Sequence, residues 1–498
     1  MKTRLFEVLI LAASFTVNGQ STFQLIYDSG ENAELFDGLL QIEDGSYVVL
    51  GTMVNLNTWG EHVVLLGVDE SGTIKWEEII GSDTQRRESG GIVFTHDGMI
   101  AHSGYRLFGA PVGPVNSDFD FMLTKANTKG EALWERYYKF SKYVEANYDL
   151  IETSDSGFLM AGFTSATGTR QGLLMKVDRN GNLEWMNDYG NPNYSTTIYS
   201  VMEHPDGTFW GVGWMQFSMT DWDAYVVHVA ADGQFIQGYN YGDAFRQDAT
   251  FIQIQSNGLL IICGDNESTP EFNSRQGWMF SIDTDGKKIW ERTYGGNKRD
   301  NFASGMVLLD DDGIVVAGGS TSFSLNGEYE GTFTKLTENG DSIWARTYHE
   351  GTPYSNNYIY DLIRTSDGGF AAVGSCHPYT SDGWFLKLDS FGCLVDGCEA
   401  VGTDDRYQEK PGARLSISPN PVTGTAVISV KLSFYLAGNE LQFSVFDATG
   451  KRVHSEPVQA MGQHALFPFD AGRLPAGIYL CRLAYGPVEI GSGNFIKE

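Results

Sequence analysis

The stretch Asp367-Gly-Gly-Phe-Ala-Ala-Val-Gly374, followed by Asp382-Gly-Trp-Phe-Leu-Lys-Leu-Asp389 and a turn at Gly392, decides the fold. It reads as short apolar strands joined by Gly-bearing turns, the pattern of tight antiparallel hairpins. The unit returns along the chain. Its later turn recurs at Gly72, Gly130, Gly181, Gly233, Gly286 and Gly340, at spacings of 58, 51, 52, 53, 54 and, on to Gly392, 52 residues. Its earlier turn recurs at Gly45, Gly98, Gly157, Gly207, Gly258, Gly313 and Gly368.

Alignment on the later turn brings other columns into register. Four residues on stand Trp76, Trp134, Trp185, Trp290 and Trp344, with Gln237 and Asp396 as exceptions. Eight residues on stand Tyr138, Tyr189, Tyr241, Tyr294 and Tyr348, with Ile80 in the first unit; five before the turn, Lys125, Lys176, Lys335 and Lys387 recur. Each unit thus holds four short strands, and repeated four-stranded units of this length predict an all-β, seven-bladed β-propeller. Stacked sandwiches would need longer strands and about 100 residues per domain. The seventh unit lacks a last strand with Trp-x-x-x-Tyr, whereas Phe23-Gln-Leu-Ile-Tyr27 keeps that aromatic spacing near the N-terminus. Residues 22–28 are therefore expected to complete the seventh blade and remove the exposed sheet edges.

With 498 residues, 42% of them hydrophobic, the chain is long enough for two or three domains with real cores. The formal charge of −29 makes nucleic acid a poor partner, because phosphates are bound by clustered Lys and Arg. Lys2 and Arg4 precede an apolar run, Leu5 to Val17, that ends at Asn18, Gly19 and Gln20. This predicts a signal peptide over residues 1–20, too short to span a bilayer. No later apolar stretch is long enough for a membrane helix, so no transmembrane segment is expected in the mature chain. Of five cysteines, Cys393 and Cys398 lie five apart and are expected to pair in an exported protein, closing a loop that contributes about 2 kcal/mol. A zinc site there would need further ligands.

Both Gly turns fall on one face of the disk, so the longer connections gather on the other, the default binding surface. Its candidate ligand-binding aromatics are Trp59, Phe108, Trp222, Phe272, Tyr329 and Tyr379, residues whose rings suit glycans or protein partners; the alternative is packing between neighbouring loops. Ten residues before each later turn stands a polar column, His62, Asp120, Gln171, Asp223, Gln276, Glu330 and Asp382, which reads as loop capping. The repeats loosely resemble the tryptophan-bearing units of quinoprotein propellers. Equal offsets instead make the Trp column blade-to-blade packing, and no cofactor is expected. Calcium is an open alternative at Asp310-Asp-Asp312-Gly313 and Asp283-Thr-Asp285-Gly286, although neither completes a twelve-residue calcium loop with its final Glu. Helical zinc, nucleophile-elbow and phosphate-loop motifs are missing, and no catalytic residue or metal ligand is assigned.

Past Cys398 the repeat register stops. Residues 399–412 read as a linker, and alternating apolar residues with Gly-bearing turns over residues 413–498 predict a small Ig-like β-sandwich. This segment carries Pro419-Asn420-Pro421, then Phe446-Asp447-x-x-Gly450-Lys451, then Leu474-Pro475-x-Gly477-x-Tyr479, and ends close to Lys497. In these motifs it resembles the C-terminal sorting domain of the type IX secretion system. The resemblance implies handling by that secretion machinery, a secreted or outer-membrane-surface location, and roles in fold and recognition for Pro419, Asn420, Pro421, Gly450, Lys451, Gly477 and Tyr479. The expected function of the propeller, residues 21–398, is a non-catalytic binding or adhesion module for glycan or surface protein. The alternative is a secreted polysaccharide hydrolase with carboxylates in the propeller funnel.

Overall fold

In the computed structural model the chain divides into two compact units, residues 1–403 and 404–498. All residues are described except 1–8, 18–19, 31, 82–84, 109–117, 140–144, 167, 244, 268–274, 296–299, 323, 325–326, 352–354, 378–380, 396–412, 419, 448–450 and 486–487. Every regular element among the described residues is a strand. The predicted linker therefore lies outside them.

The larger unit is β-propeller-like, built of four-stranded antiparallel meanders. The first runs from Asn32–Gln41 to Ile74–Ile80, the second from Gln85–Phe94 to Ala132–Tyr138, and the third from Glu145–Glu152 to Leu183–Tyr189. The fourth and fifth, Ser195–Glu203 to Phe235–Tyr241 and Arg246–Ile254 to Lys288–Tyr294, join into one eight-stranded sheet through the single pair Trp222 and Arg246. The sixth runs from Asp300–Leu308 to Ser342–Tyr348. The last has three strands of its own, Asn356–Arg364, Phe370–His377 and Asp382–Leu388, and takes its fourth from the other end of the chain. Gln20–Asp28 pairs antiparallel with Asp382–Leu388, Phe23 opposite Lys387 and Tyr27 opposite Gly383. The apolar N-terminal segment adds a fifth strand to that sheet, Leu9–Val17 pairing with Gln20–Asp28.

The first strands neighbour one another in chain order from Asn32–Gln41 onward, and Asn356–Arg364 packs back against Asn32–Gln41. Side-chain carboxylates span two of these junctions: Asp149 accepts from the Val201 amide at 2.9 Å, and Asp361 from the Leu39 amide at 2.8 Å. The cores between meanders are apolar and closely packed. At the junction of the chain's two ends, Phe23, Tyr47 and Phe385 are buried and meet edge to face, with centroids 4.9–6.1 Å apart.

The sequence columns are the contacts between meanders. Trp76 covers Gly130, Trp134 covers Gly181, Trp185 covers Gly233, Trp290 covers Gly340 and Trp344 covers Gly392, so close that a methyl group on any of these glycines would stand 2.6–3.0 Å from the ring. Phe23 covers Gly72 in the same way. Where Gln237 broke the column, Tyr239 covers Gly286; two residues on, it lies on the same strand face. The Tyr column adds a hydrogen bond per junction. Tyr138, Tyr189, Tyr241 and Tyr294 donate to the carbonyls of Gly181, Gly233, Gly286 and Gly340 at 2.6–2.7 Å, and Tyr348 donates to Gly392. Within meanders, three members of the Lys column anchor the earlier turn: Lys125 meets Asp97 at 2.6 Å, and Lys176 and Lys387 meet Asp155 and Asp367 at 2.9 Å.

The named strands of the smaller unit pair antiparallel, and Val422 adds a parallel bridge to Lys497. Ala413–Ser418, Thr425–Phe446, Gly477–Tyr485 and Val488–Lys497 follow one another in the sheet, and Arg452–Asp470 pairs with Thr425–Phe446. Ile428, Val430, Phe443, Val445, Phe469, Cys481 and Phe495 are among its core. Cys393 is disulfide-bonded, its expected partner Cys398 lies outside the described residues, and Cys263, Cys376 and Cys481 are buried thiols.

Candidate functional site

Each first strand is interrupted near its beginning by a bulge, at Phe36/Gly38, Ser89/Ile92, Asn147/Asp149, Ile198/Ser200, Ala249/Phe251, Asn301/Gly305 and Ile359/Asp361. A bulge leaves one residue out of the ladder and bends its strand, so the side chain is re-aimed. The extra residues include Asp37, Tyr148, Tyr199, Thr250 and Tyr360. The bulge also brings two backbones together. A methyl group on Gly51, Gly104, Gly162, Gly213, Gly264 or Gly374 of the second strand would stand 1.8–2.4 Å from a first-strand carbonyl oxygen. Those glycines form a column five or six residues after the earlier turn glycine, a signal the sequence carried and our reading of the turns passed over.

The bulge residues anchor a belt of rings and charges. Tyr148, 39% exposed, meets Tyr199 edge to face at 5.1 Å and lies along Phe163 at 6.0 Å. The Arg170 guanidinium sits 3.8 Å over Phe163. Tyr199 accepts from the Trp214 indole at 3.0 Å, Trp214 stacks on Trp222 at 4.7 Å, and Arg246 lies 4.6 Å over Trp222. Beyond them Arg275 is held at 3.2 Å by both Asp248 and Asp265. Tyr329 lies tilted against Tyr358 at 4.7 Å, and Tyr358 stacks on Tyr360 at 6.1 Å.

Carboxyls complete the belt. Glu88 accepts from the Tyr105 hydroxyl. Burial, with the neighbouring charges of Glu61 and Asp37, pushes it up to about 7, so it is substantially protonated near neutrality and shares a hydrogen bond with Glu61. Asp37 is pushed by burial up to about 6 while accepting from Ser89. Burial also lifts Asp361 to about 7. Because both its oxygens accept from backbone amides, Leu39 and Leu362, Asp361 is a strut between strands rather than a reactive group.

Of the aromatics expected on this face, Trp222 and Tyr329 enter the belt. Trp59 is 58% exposed on its own turn and joins none of these ring pairs among the described residues. Phe108 ends the strand Ile100–Phe108 with its side chain outside the described set, as are Phe272 and Tyr379 entirely. Tyr148, Tyr199, Trp214 and Tyr358 were missed because they lie in strands, where an aromatic reads as core. In the polar column, Gln171 donates to the carbonyls of Arg170 and Tyr194 at 2.8 and 3.0 Å, a loop cap as expected.

In the smaller unit, residues 416–490 match the family described as the secretion system C-terminal sorting domain. The chain carries a type IX secretion sorting domain. It is accordingly a secreted or cell-surface protein. In the sorting domain, Asn420 accepts from the Ile496 amide at 2.9 Å, and Pro421 leads into Val422, whose amide donates to the Ile496 carbonyl at 2.7 Å. The Lys451 backbone amide closes its turn by donating to the Asp447 carboxylate at 3.1 Å. Gly477 opens a strand, and Tyr479 stacks on Phe495 at 5.2 Å while donating to the Pro475 carbonyl at 2.8 Å. The first and third sorting motifs therefore tie the last strand into the domain, and the second closes a turn; Pro419 and Gly450 lie outside the described residues.

Among solved structures, the ulvan lyase of polysaccharide lyase family PL25 is similar at 8% identity, over 73% of this chain and 96% of that chain, with a TM-score of 0.47. A protein of unknown function from Dyadobacter fermentans is similar at 12% identity over 68% and 98%, TM-score 0.42. The β-propeller domain of the trilobed protease from Pyrococcus furiosus is similar at 10% identity over 74% and 98%, TM-score 0.38. No curated protein matches the sequence.

Proposed function

We propose that the larger unit is a seven-bladed β-propeller, closed by Gln20–Asp28, that binds glycan without turning it over and is delivered outside the cell by the sorting domain. Residues 1–20 act as the signal peptide, the sorting domain is an Ig-like sandwich, and Cys393 pairs with Cys398. The observation that carries the binding reading is the belt of half-buried rings, Tyr148, Tyr199, Trp222, Tyr329, Tyr358 and Tyr360, interleaved with Arg170, Arg246 and Arg275. Ring faces take the C–H faces of sugars with little loss of side-chain entropy, while guanidinium and carboxylate groups hydrogen-bond hydroxyls.

A second reading is favoured by one feature. Glu61 and Glu88 share a hydrogen bond, and a carboxyl held protonated near neutrality supplies the general acid, one half of what cleavage of a glycosidic bond requires, the second carboxyl having to stand across the bond from it. A glycan array run with the secreted protein, followed by product analysis on each glycan retained, separates the two. Retention without shortened product supports the binding module. Shortened product that disappears in Glu88→Gln supports the enzyme. Retention by no glycan, with capture of a surface protein instead, replaces the glycan reading by protein adhesion.

A further inference from the structure

The junction between the two ends of the larger unit holds a group of acids that no catalytic or glycan-binding role uses. Asp28 ends the closing strand, Glu34 lies in the first strand of the first meander, and Asp382 opens the third strand of the last one. One carboxylate oxygen from each lies within 4.8 Å of the other two. Three negative charges at this spacing repel, and the repulsion grows where water is excluded. Glu34 is fully buried and Asp382 only 8% exposed. Glu34 Oε1 accepts from the Ser29 hydroxyl, whereas its Oε2 is buried with no hydrogen-bond partner in the protein. A buried carboxylate oxygen left unmatched is costly unless a cation or a proton takes it. The surrounding backbone is fixed: Asp28 accepts from the Gly30 amide at 2.7 Å, and the Glu34 amide donates to the Ser381 carbonyl at 2.7 Å.

We propose that Asp28, Glu34 and Asp382 form a calcium site that latches the N-terminal closing strand to the first and last meanders. The donors are all hard oxygens, which selects calcium over zinc or copper. A dication leaves the three-carboxylate cluster with one net negative charge instead of three. Millimolar calcium outside the cell is enough to fill even a weak site of this kind. The site differs from the acidic turns at Asp283–Asp285 and Asp310–Asp312, because its ligands come together only when residue 28 meets residue 382. It is independent of the glycan reading.

The test is terbium luminescence on the secreted full chain stripped with EDTA, with calcium as competitor, alongside thermal unfolding in calcium and in EDTA. The expected results are saturable terbium binding displaced by calcium and not by magnesium, and a higher Tm in calcium. Glu34→Gln and Asp28→Asn should each weaken binding at least tenfold and remove the calcium-dependent rise in Tm. Glu34→Gln removes a buried charge, so in EDTA its Tm should equal or exceed that of the parent chain, which separates lost binding from lost folding. The proposal is overturned by a Tm indifferent to calcium, by terbium binding unchanged in both variants, or by a preference for zinc over calcium. It is also overturned if Glu34→Gln in EDTA acquires the full stability the parent has in calcium while the parent binds no terbium, since a proton then neutralises the cluster.

Discussion

At Gly162 a methyl group would stand 1.9 Å from the carbonyl oxygen of Ala146, well inside van der Waals contact, and a backbone oxygen on a bulge cannot swing away. Gly162→Ala should therefore cost about 3 kcal/mol in urea unfolding. Turn glycines divide by what lies over them. Gly207 and Gly340 share a positive φ, 82° and 79°, but Gly207 has nothing within 4 Å of its missing methyl, whereas at Gly340 the Trp290 ring lies 2.8 Å away. Alanine at Gly207 should cost about 1 kcal/mol from the left-handed backbone alone, and alanine at Gly340 about 1–2 kcal/mol more. Equal costs at the two positions would contradict ring-over-glycine packing. At the belt, Glu88 has its folded-state proton affinity raised from 4.5 to about 7, by burial first and then by Glu61 and Asp37. The folded chain binds this proton more tightly than the unfolded one, so the stabilisation is whole below about 4.5 and is lost as pH climbs through about 7. Glu88→Gln should flatten the fall in unfolding midpoint over that window by on the order of 1 kcal/mol, after solvent screening is allowed for. A slope identical to that of the parent chain would assign the proton elsewhere. For ligand, Tyr148→Ala should weaken glycan retention at least tenfold with little change in Tm, because Tyr148 is 39% exposed.

At the scale of the strand, the closing segment was legible because its aromatic-to-Tyr spacing completes a column that the last unit lacks. Phe23 is wholly buried against Tyr47 and Phe385. Phe23→Ala should thus cost about 3–5 kcal/mol, and deletion of residues 20–30 should lower the midpoint of the whole larger unit in one transition. Unchanged unfolding in the deletion would show that the strand is dispensable. Turns, the Trp and Tyr columns and the four-strand units could be read because each is local and repeats at a fixed offset. The belt could not be read as a site, since Tyr148 and Tyr199 owe their direction to bulges that only the facing glycines betray. Nor could the acidic junction: Asp382 stands in a polar column whose member Gln171 is a loop cap, and nothing in one sequence places residue 382 beside residue 34.

For the whole molecule, two programmes share one chain. The sorting domain is specified by three ordered motifs and recognised from them alone; the larger unit is specified by repetition, and the proposed binding belt lies in departures from the repeat. Removal of residues 413–498 should leave the protein cell-associated, with none in the medium by immunoblot of fractions, while glycan retention by the purified remainder is kept. Normal release of that truncation would contradict the sorting role. The closed ring is the claim on which the belt and the calcium latch both depend, because each is assembled from meanders far apart in sequence. Amide hydrogen exchange on the secreted protein tests it most directly: residues 20–28 and 382–388 should exchange together, as slowly as the second strands of the meanders. Exchange of residues 20–28 within seconds while 382–388 stays protected would mean that the strand hangs free and the ring is open.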